Sequence, residues 1–310
     1  MRPTQHFAAF SALACMFAAG TAHAADTPVC TVGQYASLPM EAEPDGAVTV
    51  SVSINGQPAR LVVDTGSIIS SLTYVAANEL GLKQWDSPFQ GEFVNGIRTS
   101  RVTHVDSIAM GGASLRKSVF LLAPYTLLNA NVSGLLGPDI LSNFDVEFDF
   151  AAGAMHLLAP NTCAVAPVYW THQPYAEVAM TLDQSMHITV PAQLDGKAVV
   201  LAIDTGSARS TMTFETAREL FNLAENDSRM KVLPPQRINR GEPVSMWRYP
   251  FSSLIFEGIQ VANPDIDIIP ERNFGGHESK IVIGMSVLRQ LHIYIGYKAQ
   301  KLYVTAAEAR

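Results

Sequence analysis

The stretch Leu61–Ser67 reads LVVDTGS, and Leu201–Ser207 reads LAIDTGS. The two lie 140 positions apart, and each sets Asp-Thr-Gly-Ser directly after an apolar run. A lone Asp-Thr-Gly arises by chance in roughly one chain in fifteen of this length, given ordinary residue usage. The surroundings decide what two copies mean. Ala47–Leu80 aligns with His187–Leu220 without a gap, and Asn55-Gly56 falls on Asp195-Gly196. Asn-Gly and Asp-Gly between alternating apolar residues are strong two-residue hairpin signals. Each copy therefore reads as strand, tight turn, strand and Asp-Thr-Gly loop. A short helix follows in each, over Tyr74–Leu80 and Phe214–Leu220.

The repeat continues downstream. Ser107–Pro124 lies over Ser253–Pro270, an offset of 146. Leu135-Leu136-Gly137 lies over Val282-Ile283-Gly284, and FDVEFDF (Phe144–Phe150) over LHIYIGY (Leu291–Tyr297), an offset of 147. The alternation in that last pair predicts strands with one buried face. Two copies of such length are too few for a solenoid. They predict an all-β protein with a few short helices, built as two lobes related by a pseudo-twofold. The Pro-rich stretch Pro160–Pro174 loses the alternation and reads as the linker. The expected boundaries are 46–165 for the first lobe and 166–310 for the second, after an N-terminal segment over 25–45.

Residues 1–24 read as a secretory signal peptide. Arg2 precedes an apolar run from Phe7 to Ala19, and Ala22-His23-Ala24 fits a small-x-small cleavage site. The alternative, a membrane anchor, needs a run of about 20 residues. Export to a periplasm or the exterior is the expectation, with no membrane span after cleavage. Removing Arg2 leaves 20 Lys+Arg against 28 Asp+Glu, a balance of −8 that argues against a nucleic-acid partner. Two cysteines then remain, Cys30 and Cys163, and in an oxidising compartment they read as a disulfide. Two unrelated buried thiols are the alternative.

A pseudo-twofold sets matching residues opposite each other, so loops near the axis bring Asp64 and Asp204 together. Two carboxylates about 3 Å apart do not both ionise easily, so they share a proton and one apparent pKa rises. One then takes a proton from water while the other hydrogen-bonds the carbonyl under attack. Gly66 and Gly206 allow close backbone approach. The Thr65 and Thr205 hydroxyls can bind across the pair, and the Ser67 and Ser207 hydroxyls can donate to the outer carboxylate oxygens. The eight histidines show no metal-ligand spacing, so neither a metal nor another cofactor is expected. The serines lack a G-x-S-x-G elbow.

Paired Asp-Thr-Gly-Ser after an apolar strand, each with a later apolar-apolar-Gly and short helix, resembles the pepsin/retropepsin aspartic proteases. The resemblance runs from about Gly46 to Ala306. It implies the bilobal acid-protease fold and an endopeptidase with Asp64 and Asp204 as its dyad. It also implies a peptide or protein substrate lying between the lobes, in a bacterial, single-chain protein like a fused retropepsin dimer. With both lobes in one chain, a monomer suffices. A catalytically silent peptide-binding module of the same fold is the alternative. The family covers its substrate with a hairpin flap, and Glu92–Thr99 with Phe93, Asn95 and Gly96 is the candidate. No tyrosine stands there, the region of Arg240-Gly241 is a weaker counterpart, and Ala25–Asp45 holds no Lys or Arg for a basic pro-segment. Arg209 stands where the first copy has Ile69. It either faces solvent or sets a positive charge near the cleft that would lower a dyad pKa.

Overall fold

Asn55 and Gly56 have φ of 50° and 82°, and Asp195 and Gly196 have 46° and 75°. Left-handed backbone at both central residues is what a two-residue hairpin with matching twist requires. The computed structural model describes residues 32–92, 98–123, 131–161, 166–237, 243–271 and 279–307. All fall within one compact unit, Val32–Arg310. The signal-peptide region and Cys30, the flap residues Phe93, Asn95 and Gly96, Cys163, and Arg240-Gly241 lie outside the described residues.

The first half runs β1 (Gln34–Ala42), β2 (Val48–Ile54), β3 (Gln57–Val63), β4 (Ser71–Thr73), helix α1 (Tyr74–Glu79), β5 (Gln84–Glu92) and β6 (Arg98–Met110). It continues with β7 (Ala113–Ala123), β8 (Gly134–Leu136), α2 (Pro138–Leu141), β9 (Asp145–Asp149) and β10 (Ala154–Leu158). The second half runs β11 (Ala176–Ala179), β12 (Thr181–Leu182), β13 (Ile188–Leu194), β14 (Lys197–Ile203), β15 (Ser210–Thr213), α3 (Phe214–Phe221), β16 (Lys231–Arg237) and β17 (Pro243–Arg248). It ends with β18 (Ser253–Phe256), β19 (Ile259–Ala262), β20 (Ile266–Ile269), β21 (Ile281–Ile283), α4 (Met285–Leu288), β22 (Leu291–Gly296) and β23 (Lys301–Ala306). The fold is all-β and bilobal.

The halves share their topology. In the first, β8 lies between β3 (parallel) and β4 (antiparallel), and β4 runs parallel to β7. In the second, β21 lies between β14 and β15, and β15 runs parallel to β20, with the same directions. The core is written twice as well. Leu61, Val63, Leu72, Ile108, Leu122 and Leu136 are buried, as are their counterparts Leu201, Ile203, Met212, Leu254, Ile268 and Ile283. Burying each such side chain contributes about 1.5–3 kcal/mol. Thr73 and Thr213 cap the two matched helices, each accepting from the backbone N–H three residues on.

The repeat starts earlier than Ala47. β1, inside the segment expected as 25–45, pairs with both β10 and β2. Its counterparts β11 and β12 pair with β23 and β13. The signal was in the sequence, because Tyr35, Ala36 and Met40 match Tyr175, Ala176 and Met180 at the same offset of 140.

Both halves contribute to one sheet in the order β1, β10, β9, β22, β23, β11. Its centre pairs Asp149 with His292, Phe148 with Ile293, and Glu147 with Tyr294. Here the structure departs from the expectation of one buried face, since every residue of β9 is buried. Val146 and Phe148 join the main core, while Asp145, Glu147 and Asp149 lie on the other face. The connecting segment covers that face. Trp170 stacks on His292, with ring centroids 4.4 Å apart, and donates to Thr305 Oγ1 at 3.1 Å. Tyr169 hydrogen-bonds Glu147, and the Asn161 N–H donates to Asp145 Oδ2 at 2.7 Å. Further polar partners come from the other half: His292 Nε2 meets Glu147 Oε1 at 2.9 Å, and Tyr294 Oη donates to Asp145 Oδ2 at 2.8 Å, while Asp145 Oδ1 finds no partner among the described residues. Burial still pushes the Asp145 carboxyl up from its ordinary value. A covering segment explains what the alternation alone did not, because polar groups can be buried when they are hydrogen-bonded.

Trp170→Ala is expected to cost about 2–3 kcal/mol, below the roughly 3–5 of a fully buried tryptophan. The urea midpoint measures it, and a cost under about 0.5 kcal/mol would show that the covering segment contributes little.

Candidate active site

The two Asp-Thr-Gly loops are held by the ends of β3 and β14. The Asp64 N–H donates to Leu136 O and the Asp204 N–H to Ile283 O, each at 3.0 Å, so parallel neighbours β8 and β21 fix where each aspartate leaves its strand. Behind each loop sits a serine. Ser70 Oγ accepts from the Gly137 N–H at 2.9 Å, and Ser210 Oγ from the Gly284 N–H at 3.0 Å. Sequence reasoning had passed over Ser70 and Ser210. Their identity at matched positions was the available signal.

The loops lock into each other through the threonines. Thr65 Oγ1 donates to Ile203 O at 2.9 Å and accepts from the Thr205 N–H at 3.0 Å. Thr205 Oγ1 donates to Val63 O at 2.8 Å and accepts from the Thr65 N–H at 3.1 Å. Neither threonine is exposed to solvent. Four buried hydrogen bonds thus cross between residues 138 to 142 positions apart in sequence.

The glycines show how close the carboxylates come. A Cβ on Gly66 would lie 2.3 Å from Asp204 Cγ, and one on Gly206 would lie 2.3 Å from Asp64 Cγ. Each carboxylate therefore sits over the other loop's glycine, in space only glycine leaves open. The glycine N–H groups turn back to their own aspartates, Gly66 to Asp64 Oδ1 at 3.0 Å and Gly206 to Asp204 Oδ1 at 2.8 Å. The Ser207 N–H reaches Asp204 Oδ1 at 3.1 Å. The serine hydroxyls, expected on the outer carboxylate oxygens, go elsewhere. Ser67 Oγ donates to Asp64 O at 3.0 Å, and Ser207 Oγ to Arg209 O at 2.8 Å. A hydroxyl has one proton, and the nearby carbonyls of the turn take it.

The Asp64 carboxyl is held well above its ordinary value. Desolvation by burial is the main cause, followed by the charge of Asp204 and a side-chain hydrogen bond with it, against N–H donation from Gly66 and Ser67. Arg209 does not appear among the groups acting on Asp64, and its side chain is partly exposed to solvent. Its Nη1 pairs with Asp267 Oδ2 at 2.7 Å. The expected flap hairpin is framed rather than described: β5 and β6 pair as far as Glu92 with Arg98. Among the described residues no group of three His, Cys, Asp or Glu side chains is placed to hold a metal ion. Among them, too, no helix is long and apolar enough to cross a membrane.

Paired carboxylates on interlocked loops at the junction of two β lobes define the aspartic-protease class of site. The sequence pattern of the family described as Aspartyl protease matches residues 50–140 and 190–287, and the chain belongs to that family. It is 26% identical over 184 residues to the DNA damage-inducible protein 1 of Kluyveromyces lactis, a match covering 56% of this chain and 40% of that protein's length. The chain thus spans well under two thirds of this curated relative. Two solved structures share the fold at low identity. Basic 7S globulin from soybean is 8% identical with a TM-score of 0.51, covering 90% of this chain and 96% of that one. Conglutin gamma from lupine seeds is 11% identical with a TM-score of 0.52, covering 89% and 95%.

Two outcomes are expected. Thr65→Val and Thr205→Val each remove a hydroxyl and leave an N–H and a carbonyl buried without it. Each is expected to cost about 2–4 kcal/mol by urea unfolding. Asp64→Asn is expected to raise stability at neutral pH. A carboxyl with a raised folded pKa favours the folded state only while protonated, so that stability is present below the unfolded value near 4 and is lost as pH rises through the folded pKa. The asparagine has no such proton to lose. Its advantage in urea midpoint is expected to be large at pH 7, to shrink as pH falls through the folded pKa toward about 4, and to level off below that. A gap independent of pH would contradict the raised Asp64 pKa.

Proposed function

We propose that the chain is an aspartic endopeptidase, with Asp64 and Asp204 as its catalytic dyad and an extended peptide as its substrate. The observation that carries this reading is the crossed seating of each carboxylate over the other loop's glycine, with Asp64 favouring the protonated form. The pair holds one proton between two carboxyl groups, and burial favours Asp64 as its holder. Asp204 then takes a proton from a water between them, and that water's oxygen attacks the peptide carbonyl. The Asp64 proton hydrogen-bonds the carbonyl oxygen as negative charge develops there. Collapse of the tetrahedral intermediate breaks the C–N bond, and the leaving amine takes the proton that Asp204 received from water, which returns the pair to its one-proton state. No covalent enzyme intermediate forms. The threonine lock keeps the loops from moving apart when charge changes, so the geometry is set before substrate arrives.

On this reading the first lobe spans about residues 46–165 and the second 166–310, working as a monomer. The flap on this reading is the Glu92–Thr99 stretch between β5 and β6. The leader-like residues 1–24 support export to a periplasm or the exterior, with Cys30 and Cys163 as disulfide partners there.

Cleavage of a diverse peptide library is expected between about pH 3 and 7, strongest on the acid side of neutral, because the dyad must keep one proton. Asp64→Ala and Asp204→Ala are each expected to lower kcat/KM by at least about a thousandfold, since each removes a proton-transfer partner. Binding of library peptides without turnover by the unaltered chain would favour the silent binding module instead.

A further inference from the structure

Arg209 carries this chain's sharpest break with its own symmetry. Three positions of one half correspond to three of the other, and in the second half they meet on one face of the sheet. In the first half they are Ile69, Val102 and Leu121; in the second they are Arg209, Arg248 and Asp267. The register shows the equivalence. Val102 pairs with Leu121 across β6 and β7, and Arg248 with Asp267 across β17 and β20. β4 runs beside Leu121 as β15 runs beside Asp267. In both halves this face is opposite the main core, which takes the alternate residues Leu122 and Ile268.

The location matters for substrate. Ile69 and Arg209 each stand five residues past a dyad aspartate. On the first-half side, a Cβ on Gly91 of β5 would lie 2.4 Å from Leu121 Cδ2. The face therefore lies between the dyad loop and the base of the hairpin that leads toward the flap candidate. On the endopeptidase reading, an extended peptide crossing the dyad would turn side chains toward both faces.

The two faces differ in charge. Val102 and Leu121 are buried and apolar. Asp267 is buried too, and it accepts from Arg209 Nη1 at 2.7 Å and from Arg248 Nε and Nη2 at 2.9 and 2.6 Å. One carboxylate faces two guanidiniums. Arg248 also pairs with Asp265 at 3.0 Å, so its fork is spread over two carboxylates, whereas Arg209 commits Nη1 alone to Asp267 and keeps its other N–H donors for a further acceptor. Its side chain is 41% exposed. A guanidinium carries five N–H donors in a fixed fork and suits a carboxylate. The buried Asp267 holds it in place.

We propose that Arg209, positioned by Asp267, is a specificity-determining residue that selects a glutamate or aspartate side chain of the substrate on the second-lobe side, opposite an apolar subsite formed by Ile69, Val102 and Leu121. This rests on the endopeptidase reading for its place in catalysis, but the binding preference is separable from turnover.

The test uses decapeptides carrying Glu, Gln, Leu or Lys at each position in turn. Cleavage is measured with the unaltered chain, and binding by fluorescence anisotropy with Asp64→Asn. At one position Glu is expected to exceed Leu by at least about tenfold, and Lys by more, in both measurements, in line with a charge-assisted contact. Arg209→Lys is expected to keep part of the preference. Arg209→Ile with Arg248→Val and Asp267→Leu reproduces the trio the first half already accommodates, so it avoids stranding the buried Asp267. That triple variant is expected to prefer Leu at the same position. Equal treatment of Glu and Leu at every position, absence of peptide binding, or a Glu preference that survives in the triple variant would overturn the proposal. Selective binding without cleavage would remove the endopeptidase reading and leave this subsite standing.

Discussion

Like charge is the constraint around which this fold is arranged. Two carboxylates about 4 Å apart repel by about 4 kcal/mol at the effective dielectric of a protein surface. Desolvation adds to that cost, and the raised pKa of Asp64 registers both. The four threonine bonds across the axis contribute about 1 kcal/mol each, comparable with the repulsion they resist. They also act on the backbone, at Val63 and Ile203, immediately before the aspartates. Sharing one proton removes most of the remaining repulsion, so the state the loops tolerate best is also the one general acid–base chemistry requires.

A second junction holds the halves together away from the dyad. Across β9 and β22, Asp145, Glu147 and Asp149 of one half face His292 and Tyr294 of the other. The backbones there are related by the pseudo-twofold, but the side chains are complementary rather than alike. Two copies of β9 paired together would set carboxylate against carboxylate, whereas β9 with β22 sets carboxylate against imidazole and phenol. The pairing within one chain is thus favoured over pairing between two first halves. The covering aromatics Tyr169 and Trp170 then remove the network from water, which strengthens each bond and makes an incomplete set costly.

What could be read in advance follows from the range of the interactions. Asn55-Gly56 and Asp195-Gly196 dictate their turns by local backbone sterics, and the Asp-Thr-Gly loops follow from the repeat. The crossing of Thr65 and Thr205 was legible because symmetry supplies the long-range contact that sequence spacing cannot. Where symmetry is broken, reading failed. Nothing local in FDVEFDF says that a segment some twenty residues later will cover its acidic face. The partner of Arg209 lies 58 positions away, on a strand whose first-half counterpart carries leucine instead. The serine hydroxyls were misplaced for a different reason, because turn carbonyls compete for their single proton at short range.

The pattern of divergence between the halves separates structural demand from functional freedom. Residues that interlock at the axis are the same in both copies because each partner stands in the other copy: Thr65 with Thr205, Gly66 against Asp204 and Gly206 against Asp64. Any change in one must be met by its counterpart. Residues such as Ile69 and Arg209 meet only their own half, so neither constrains the other. A duplicated chain can therefore alter one wall of its cleft while leaving the reacting groups untouched. A homodimer lacks that freedom, since each substitution would appear on both sides. Fusing two lobes into one chain lets a symmetric pair of carboxylates stand between faces that differ, with Val102 and Leu121 on one side and Arg248 and Asp267 on the other.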